Sequence, residues 1–450
     1  MGTSIVLFNR DLRLRDNPAL AAAAKAERTV PLFVLDPALL ESRFAAPNRV
    51  AFLLESLHDL DEGLRRGGGR LYVRRGDPVE ETMALARECG AAEVHVSADW
   101  SAFARRREER LRRACEEERI ALSAHPGTTI VAPGTVTPGS GDHFKVFSPF
   151  HRAWEEVPAR PLAAAPRSLA MPSRLAAGRL PRLDSLLHGE LSPERVPGGE
   201  TAGRKAIRAF LRDGLAGYAD HHDDLAGDET SGLSPYLRFG CISPLELLGA
   251  ARSRRGGGAF ARQLCWRDFH HQVLAAFPAL PYRDYRPRGD RWSRSRRAFE
   301  AWREGRTGYP IVDAAMRQLR LEGRMHNRAR MIVASFLTKD LYLDWRWGAG
   351  HFWDLLSDGE IANNAGNWQW VAGTGNDTRP NRVFNPIRQA YRFDPNGEYV
   401  RRYLPELEAI GGRVVHEPWR LDLAQRRQLE YPRPIVDHDE AAAAFIARRT

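Results

Sequence analysis

The sequence predicts two kinds of domain in one chain: an N-terminal α/β domain on a doubly wound, Rossmann-like parallel sheet, and an all-helical C-terminal domain. Three observations predict this fold class. Short apolar runs alternate with helical stretches over residues 1–130, a proline-rich linker occupies 131–200, and helix signals dominate 201–450. Alternation of strands and helices is typical of a parallel sheet wrapped by helices.

Four short apolar runs are the expected strands, and helical stretches lie between them. The runs are Ile5–Phe8, Val30–Leu35, Leu71–Val73 and Val94–Val96, and the helical stretches include Arg49–Arg66 and Arg105–Arg119. Ligands of parallel sheets bind beyond the carboxyl ends of the strands. The segments that stand at those ends are NRDLR (9–13), LDP (35–37), RGDP (75–78) and SADW (97–100).

Capping signals mark the helices of the C-terminal domain. SPLE (243–246) predicts a capping box, with Ser243 at the N-cap and Glu246 three residues later. Pro310 and Gly323 mark the start and the end of another predicted helix. The prolines of the 131–200 segment instead favour a linker draped over the surface.

Composition narrows the class of protein. The 450 residues carry a net charge of +10, which suits a polyanion such as nucleic acid, although it also serves solubility alone. The four cysteines form no CxxC pair, and the chain lacks the GxxxxGK[ST], GxGxxG, HExxH and GxSxG motifs. No signal peptide or membrane-length apolar run is present, so we expect a cytoplasmic protein without a metal site.

Two predicted helices gather polar and aromatic side chains on one face. Gln263, Trp266, Arg267 and His270 fall at i, i+3, i+4 and i+7, a combination that suits a ligand with both a ring and a charge. An ordinary buried tryptophan with polar neighbours is the open alternative. In a second helix, Asn327, Arg330 and Met331 share a face, where a buried asparagine would need partners.

The stretch NNAGNWQW (363–370) places neutral amides around two indoles, with Asn364 one helical turn before Trp368. A hydrophobic core needs no amides and a solvated loop needs no indoles, so a polar, planar ligand is expected. In ETSGLSPYLRFG (229–240), the Thr230 and Ser231 hydroxyls precede Ser234, which is predicted to cap a helix beginning at Pro235. Free N–H groups at a helix start suit a pyrophosphate.

Motifs along nearly the whole chain resemble those of the photolyase/cryptochrome family, specifically its class I cyclobutane pyrimidine dimer (CPD) DNA photolyases. The stretches that carry the resemblance are FNRDLRLRDNPAL, TSGLSPYLRFG, WRDFHHQ, TGYPIVDAAMRQL, MHNRARMIVASFLTKDLYLDW, DGEIANNAGNWQWVAGTG and RVFNP. The resemblance implies an antenna-binding α/β domain and a helical FAD- and DNA-binding domain. It also implies a carbon–carbon lyase that repairs dimers in light by electron transfer from excited reduced FAD to a flipped-out dimer.

The resemblance assigns residues to the FAD site. Asn364 falls where the family faces flavin N5, and an amide that cannot ionise tolerates a change in the flavin's electron count. Arg267 is expected near the phosphates, and Arg330 is expected to pair with Asp358. The full set implied for FAD is Tyr218, Thr230, Ser231, Gly232, Leu233, Ser234, Trp266, Arg267, Arg330, Asp358, Glu360 and Asn364.

The resemblance also assigns residues to electron transfer and DNA. Trp292, Trp345 and Trp368 match the family's tryptophan chain, and Asn364 and Gln263 complete the expected catalytic set. Trp266 and Trp370 match the pair that packs against the flipped dimer. The other expected DNA contacts are Gln263, Asn327, Arg328, Met331 and Arg382. Gln263 and Arg324 depart from the family pattern, which usually has Glu and Trp at these positions.

The antenna site is expected at the sheet edge. Arg10, Asp11, Asp36, Arg49, Phe52, Asp99 and Arg238 resemble a deazaflavin pocket, which favours 8-hydroxy-5-deazaflavin, with FMN or an empty site as alternatives. Folate is disfavoured because Ala104 and Arg105 stand where folate-binding relatives have Asn and Glu. The expected partner is UV-damaged DNA, bound by a monomer. A signalling cryptochrome and a (6-4) photolyase are the rival functions; Asn327 and Met331 disfavour the second.

Overall fold

The structure is a computed structural model that describes residues 2–43, 45–173, 175–186, 189–227 and 229–449. Three positions of the predicted linker, Arg174, Leu187 and His188, lie outside the described residues. Within them, the N-terminal sheet has five parallel strands in the order β3-β2-β1-β4-β5. The strands are β1 (Thr3–Leu7), β2 (Arg28–Leu35), β3 (Tyr72–Arg75), β4 (Ala91–Ser97) and β5 (Ala121–His125).

Helices connect consecutive strands and cover the sheet. They are α1 (Pro18–Ala23), α2 (Pro37–Leu40), α3 (Pro47–Arg66), α4 (Pro78–Cys89) and α5 (Ala102–Glu117). Strand β1 is buried along its whole length, as expected for a strand with helices on both faces. The strand order reverses beside β1, so the predicted doubly wound fold is confirmed. Its switch point lies where NRDLR and SADW follow β1 and β4.

The remaining described chain is helical. Its α-helices are α6 (Phe147–Glu155), α7 (Glu200–Ala209), α8 (Tyr218–His221), α9 (Ser234–Phe239), α10 (Pro244–Arg252), α11 (Gly257–Ala276), α12 (Arg296–Glu304), α13 (Pro310–Glu322), α14 (Asn327–Ser335), α15 (Trp345–Leu355), α16 (Ile361–Ala372), α17 (Pro386–Phe393), α18 (Glu398–Tyr403), α19 (Leu423–Gln428) and α20 (His438–Arg449). Single π-helical turns follow α7 and α14, at Phe210–Gly214 and Phe336–Asp340. Short 3-10 turns span Leu183–Ser185, Pro405–Leu407, Gly412–His416 and Pro418–Arg420.

The predicted capping signals are largely confirmed. The Ser243 hydroxyl accepts from the Glu246 N–H, and Pro310 and Gly323 bound α13, with Gly323 in the left-handed region. The Glu246 side chain does not complete the capping box by bonding back to the Ser243 N–H. Its carboxylate instead pairs with Arg204 at 3.1 Å. Helix α6 lies inside the segment predicted to be linker. The domain boundaries themselves remain predictions.

The two halves of the chain meet where α9 ends. Gly240 adopts a positive φ of 67°, and a Cβ there would lie 2.0 Å from the Arg10 carbonyl oxygen, so glycine permits this approach. The buried Arg13 guanidinium donates to the Gly240 carbonyl at 2.9 Å. This contact brings the carboxyl ends of the strands next to the helical domain.

Two structural features are absent from the described residues. No helix there combines the length and the apolar character needed to cross a membrane. Among the same residues, no group of three His, Cys, Asp or Glu side chains is placed to hold a metal ion.

Candidate functional site

The centre of the candidate site is an ion pair between the partly exposed Arg330 of α14 and the buried Asp358 in the loop before α16. The Arg330 guanidinium donates to Asp358 Oδ2 at 2.8 Å, and the Ser234 hydroxyl donates to the same oxygen at 2.6 Å. Burial alone would raise the pKa of Asp358, but Arg330 and Ser234 outweigh it and hold the pKa below its ordinary value. The carboxylate is therefore charged at neutral pH, and its other oxygen, Oδ1, is buried with no hydrogen-bond partner among the described residues.

Glu360 begins α16 and links it to the α/β domain. It accepts from the Asn363 N–H at 2.9 Å and from the Asn363 side chain at 2.7 Å, so it caps the helix. Its other oxygen pairs with Arg10, which follows β1, at 3.2 Å. Burial would raise the pKa of Glu360, but His271, Arg10 and Arg267 outweigh it and hold the pKa below its ordinary value. One carboxylate thus anchors both the helix start and the domain junction.

Asn364 lies in the first turn of α16. Its side-chain amide donates to the Ala349 carbonyl of α15 at 3.2 Å. Its amide oxygen makes no hydrogen bond within the described chain, and the side chain is partly exposed. The predicted one-turn relation to Trp368 is confirmed, since both lie in α16.

The hydroxyl-rich loop before α9 differs in one respect from the prediction. The prediction that Ser234 caps α9 is wrong: Leu233 occupies the N-cap, Ser234 is the first helical residue, and its hydroxyl is used by Asp358. Thr230 and Ser231 precede it, and Gly232 has a φ of 61° with open space where a Cβ would stand. Tyr218 is buried in α8, and burial raises its pKa to about 12.

Helix α11 carries the predicted face of Gln263, Trp266, Arg267 and His270. Gln263 is exposed and Trp266 is partly exposed, with one face of its indole stacked on Phe147 at 3.7 Å between ring centres. The Arg267 guanidinium is buried and donates to the carbonyl groups of Thr128 at 2.6 Å and Leu237 at 3.4 Å. Burial lowers the pKa of His270 to about 4, so its imidazole is neutral.

The predicted DNA contacts divide into free and paired side chains. Asn327 is exposed at the start of α14, 4.0 Å from the sulfur of Met331. Arg382 is exposed and its guanidinium covers the Trp370 ring at 5.0 Å. Arg328, in contrast, pairs with Asp223 through two hydrogen bonds of 2.6 and 3.1 Å.

The three expected redox tryptophans run from buried to partly exposed positions. Trp345 and Trp368 are buried in the core of the helical domain, and Trp292 is packed at its edge. The Trp345 indole donates to Asp284 at 2.8 Å. Sequence reasoning missed Trp302, which is fully buried with its ring centre 6.1 Å from that of Trp368. No pattern around it distinguishes it from a core residue.

The residues predicted for the antenna fall into two groups. Arg10 pairs with Asp99 at 3.2 Å as well as with Glu360, and Arg238 donates to the Gly359 carbonyl at 2.8 Å. Arg49 donates to the Leu356 carbonyl at 2.9 Å. The other group is structural: Asp11 accepts from Ser97, Asp36 caps α2, and Phe52 is fully buried between Tyr236 and Phe239.

Burial and neighbouring charges shift the pKa values of the first group. It lowers the pKa of Arg238 to about 9 and that of Arg49 to about 10. Burial would raise the pKa of Asp99, but Arg10 more than compensates and lowers it to about 2. Of these groups, Arg49 and Arg238 contact the Leu356–Glu360 segment of the flavin-site candidate directly, and Asp99 is linked to it through Arg10.

Comparisons with known proteins agree with this architecture. Residues 4–167 match the family model described as DNA photolyase, and residues 260–450 match the FAD binding domain of DNA photolyase. A deoxyribodipyrimidine photo-lyase of Streptomyces griseus is 53% identical, over 100% of this chain and 99% of its own length.

Two solved structures are also similar over the full chain. A bacterial class III photolyase from Agrobacterium tumefaciens superposes with a TM-score of 0.92 at 34% identity, covering 100% of this chain and 97% of that one. A cryptochrome of Synechocystis gives 0.92 at 30% identity, covering 99% and 98%. On these matches, and with a FAD-binding domain at its carboxyl end, the chain belongs to the photolyase/cryptochrome family.

Proposed function

We propose that this protein is a light-driven lyase that repairs cyclobutane pyrimidine dimers in DNA, with FAD as its redox group. One observation carries the proposal. The Arg330–Asp358 pair joins α14 to the loop before α16, and the uncharged Asn364 lies in the first turn of α16, in a chain 53% identical to a deoxyribodipyrimidine photo-lyase. A basic net charge of +10 is suited to the DNA substrate.

The side chains fit a flavin nucleotide. Within the part of the chain that the structure describes, Asp358 Oδ1 is a buried acceptor without a partner, and such an atom costs about 1–3 kcal/mol unless a ligand N–H or water reaches it. The open space at Gly232 leaves room for a ligand to approach the backbone of the loop before α9. Bound FAD would supply light absorption and one-electron transfer. Arg330, Asp358 and Asn364 would orient it, while Ser234 holds Asp358 in place.

The exposed residues around this site suit a flipped-out lesion. Trp266 and Trp370 each offer a ring face, and stacking of a base on an aromatic ring contributes about 1–3 kcal/mol. That gain offsets part of the few kcal/mol needed to extrude nucleotides, and a dimer stacks poorly, so it is easier to extrude than normal bases. Gln263 can donate to a pyrimidine carbonyl, and Asn327 and Met331 favour the cyclobutane dimer over the (6-4) product.

Backbone binding is assigned chiefly to Arg382. Its guanidinium is exposed and has no carboxylate partner within the described chain, whereas Arg328 must leave Asp223 or bind as part of that pair. Phosphate contacts of this kind contribute affinity but carry no sequence preference.

The finer assignments are class I and an 8-hydroxy-5-deazaflavin antenna at the switch point of the sheet. Arg10, Asp99 and Arg238 support the antenna site, because buried charges at the carboxyl edge of the strands suit a polar ring system. Phe52 is fully buried, so its role there is packing rather than direct contact. A cytoplasmic monomer remains the prediction.

The test is a repair assay on the purified, FAD-loaded and reduced protein. Illumination with an oligonucleotide containing one cyclobutane dimer is expected to restore the undamaged strand, and a dark sample is expected to restore nothing. A parallel (6-4) oligonucleotide should remain unrepaired. A flavin spectrum with no loss of dimers in light would overturn the proposal in favour of a photoreceptor.

A further inference from the structure

Lys339 is a buried lysine in the π-helical turn that follows α14. Only 2% of the residue is exposed, and the Phe445 ring of α20 covers its ammonium group at 5.4 Å. Within the described chain, that group forms no ion pair with a carboxylate. Lysine is seldom fully buried without such a pair, because an ammonium group leaves water at a high cost. Burial accordingly lowers the pKa of Lys339 to about 7, so this charge needs an explanation other than stability.

The ammonium group binds the backbone of the loop that carries Arg382. It donates to the carbonyl oxygen of Pro380 at 3.3 Å and to the carbonyl oxygen of Arg382 itself. A second anchor lies four residues earlier in the sequence, where the buried Ser335 hydroxyl accepts from the Phe384 N–H at 3.2 Å. The backbone of this loop is therefore held at Arg382 and on both sides of it.

The Arg382 side chain stays exposed although its backbone is anchored. Its guanidinium lies over the rings of Trp370 and Phe384, 5.0 Å from each ring centre. Because the backbone carbonyl is bound to the buried Lys339, the loop cannot turn without breaking that bond. The guanidinium is thereby kept beside Trp370, the aromatic residue expected to stack on a flipped base.

One helical segment carries both the loop anchors and the predicted lesion contacts. Asn327, Met331, Ser335 and Lys339 recur at every fourth position, from α14 into the π-helical turn Phe336–Asp340. Residues four apart lie on successive turns and are neighbours on a helix. Single π-helical turns are rare and occur frequently at functional sites. One rigid element therefore sets the position of the loop relative to the predicted lesion contacts.

We propose that Lys339 is a positioning residue for DNA binding, which together with Ser335 fixes the loop so that Arg382 meets a backbone phosphate beside the flipped lesion. This inference rests on the proposed function, in which Arg382 contacts the DNA backbone. The buried charge then has a purpose, because a hydrogen bond with one ionised member is about twice as strong as a neutral one. A loop held in its binding geometry also loses less conformational freedom when DNA binds.

The experiment measures the affinity of the FAD-loaded protein for undamaged and dimer-containing duplexes by fluorescence anisotropy over a range of salt concentrations. It is run at pH ~6, where Lys339 is protonated. R382Q removes one phosphate contact, so the slope of log affinity against log salt should shrink by about 1. Binding at about 0.1 M salt should weaken about eightfold, equally for both duplexes.

K339M should reproduce part of both effects, with an affinity loss of about threefold or more and a smaller salt slope. The double variant K339M/R382Q should bind no more weakly than R382Q alone, because Lys339 acts through Arg382. A general loss of folded protein would lower the binding amplitude without changing the slope. S335A removes the second anchor and should weaken binding in the same way.

The matched control is K205M, the same substitution at an exposed lysine of α7, which should leave affinity and slope unchanged. The inference is overturned if K339M binds like wild type or like K205M. It is also overturned if the losses in K339M and R382Q add in the double variant. If K339M does not fold, the same outcomes are read from S335A. If R382Q itself binds as tightly as wild type, the assignment of Arg382 to DNA is wrong as well, so the two failures are distinguishable.

Discussion

The Glu360 carboxylate allows a sharp test of how the two halves of the protein are joined. In Glu360→Gln the side chain keeps its size but loses its charge. The amide can accept one hydrogen bond, but its NH₂ group must then face a donor, either the Arg10 guanidinium or the Asn363 amide. Glu360 is buried and the Arg10 side chain is only 16% exposed, so solvent can replace the lost interaction only in part.

The size of the effect follows from burial and from the partners that remain. Removing one member of a buried ion pair costs about 3–5 kcal/mol, and an N-cap contributes about 0.5–2 kcal/mol of its own. Arg10 still has Asp99 at 3.2 Å, so its charge is not left alone. We therefore expect the lower end, about 3 kcal/mol. At about 2–4 °C per kcal/mol for a domain of this size, Tm should fall by about 6–12 °C.

Urea and thermal unfolding of the FAD-loaded protein measure this change. Glu398→Gln is the control, since Glu398 is an exposed acid in the first turn of α18, and its loss should change stability by less than about 0.5 kcal/mol. A double-mutant cycle with Arg10→Gln should give a coupling energy of about 1–3 kcal/mol. Additive effects of the two substitutions, or a Glu360→Gln stability equal to that of the control, would refute the reasoning.

Three further predictions concern pH, the lesion and salt. Burial lowers the pKa of Lys339 to about 7, helped by Arg449, while the unfolded chain keeps its proton to the ordinary lysine pKa. Urea unfolding should therefore show wild type gaining up to about 1.4 kcal/mol per pH unit over Lys339→Met between pH ~7 and ~10, and a pH-independent difference would contradict this. Trp370→Ala should weaken binding to dimer-containing DNA by about 1–3 kcal/mol, measured by fluorescence anisotropy, with little change for undamaged duplex. Affinity for damaged DNA should fall steeply with added salt in the same assay, and a flat profile would count against the phosphate contacts.

The apolar runs predicted four strands because strands covered on both faces must be apolar throughout. Strand β5 was not predicted because it lies at the sheet edge. Ala121–His125 is only partly buried there, and its apolar and polar residues follow no clear strand pattern. Helix α6 was not predicted because the segment around it is rich in proline. Phe147, Phe150 and Trp154 nevertheless follow helical spacing and are buried, and the Trp154 indole donates to Asp268 of α11 at 3.0 Å.

Long-range pairing set the limit on predicting the site. The helix faces of α11, α14 and α16 follow from local spacing, and so does the capping of α13. The pairing of Arg10 with Glu360 joins residues 350 positions apart, and that of Ser234 with Asp358 joins residues 124 apart, so no local signal could assign them. The amide cluster also proved partly structural. Gln369 is fully buried and donates to the Leu280 and Arg283 carbonyls, at 2.7 and 3.0 Å.

A crystal structure of the FAD-loaded protein tests the central claim most directly. We predict that the isoalloxazine ring contacts Asn364 and that a flavin N–H donates to the free Oδ1 of Asp358, with the Arg330–Asp358 pair intact. A flavin bound elsewhere, or protein side chains filling the space beside Asn364 in the loaded protein, would contradict the account.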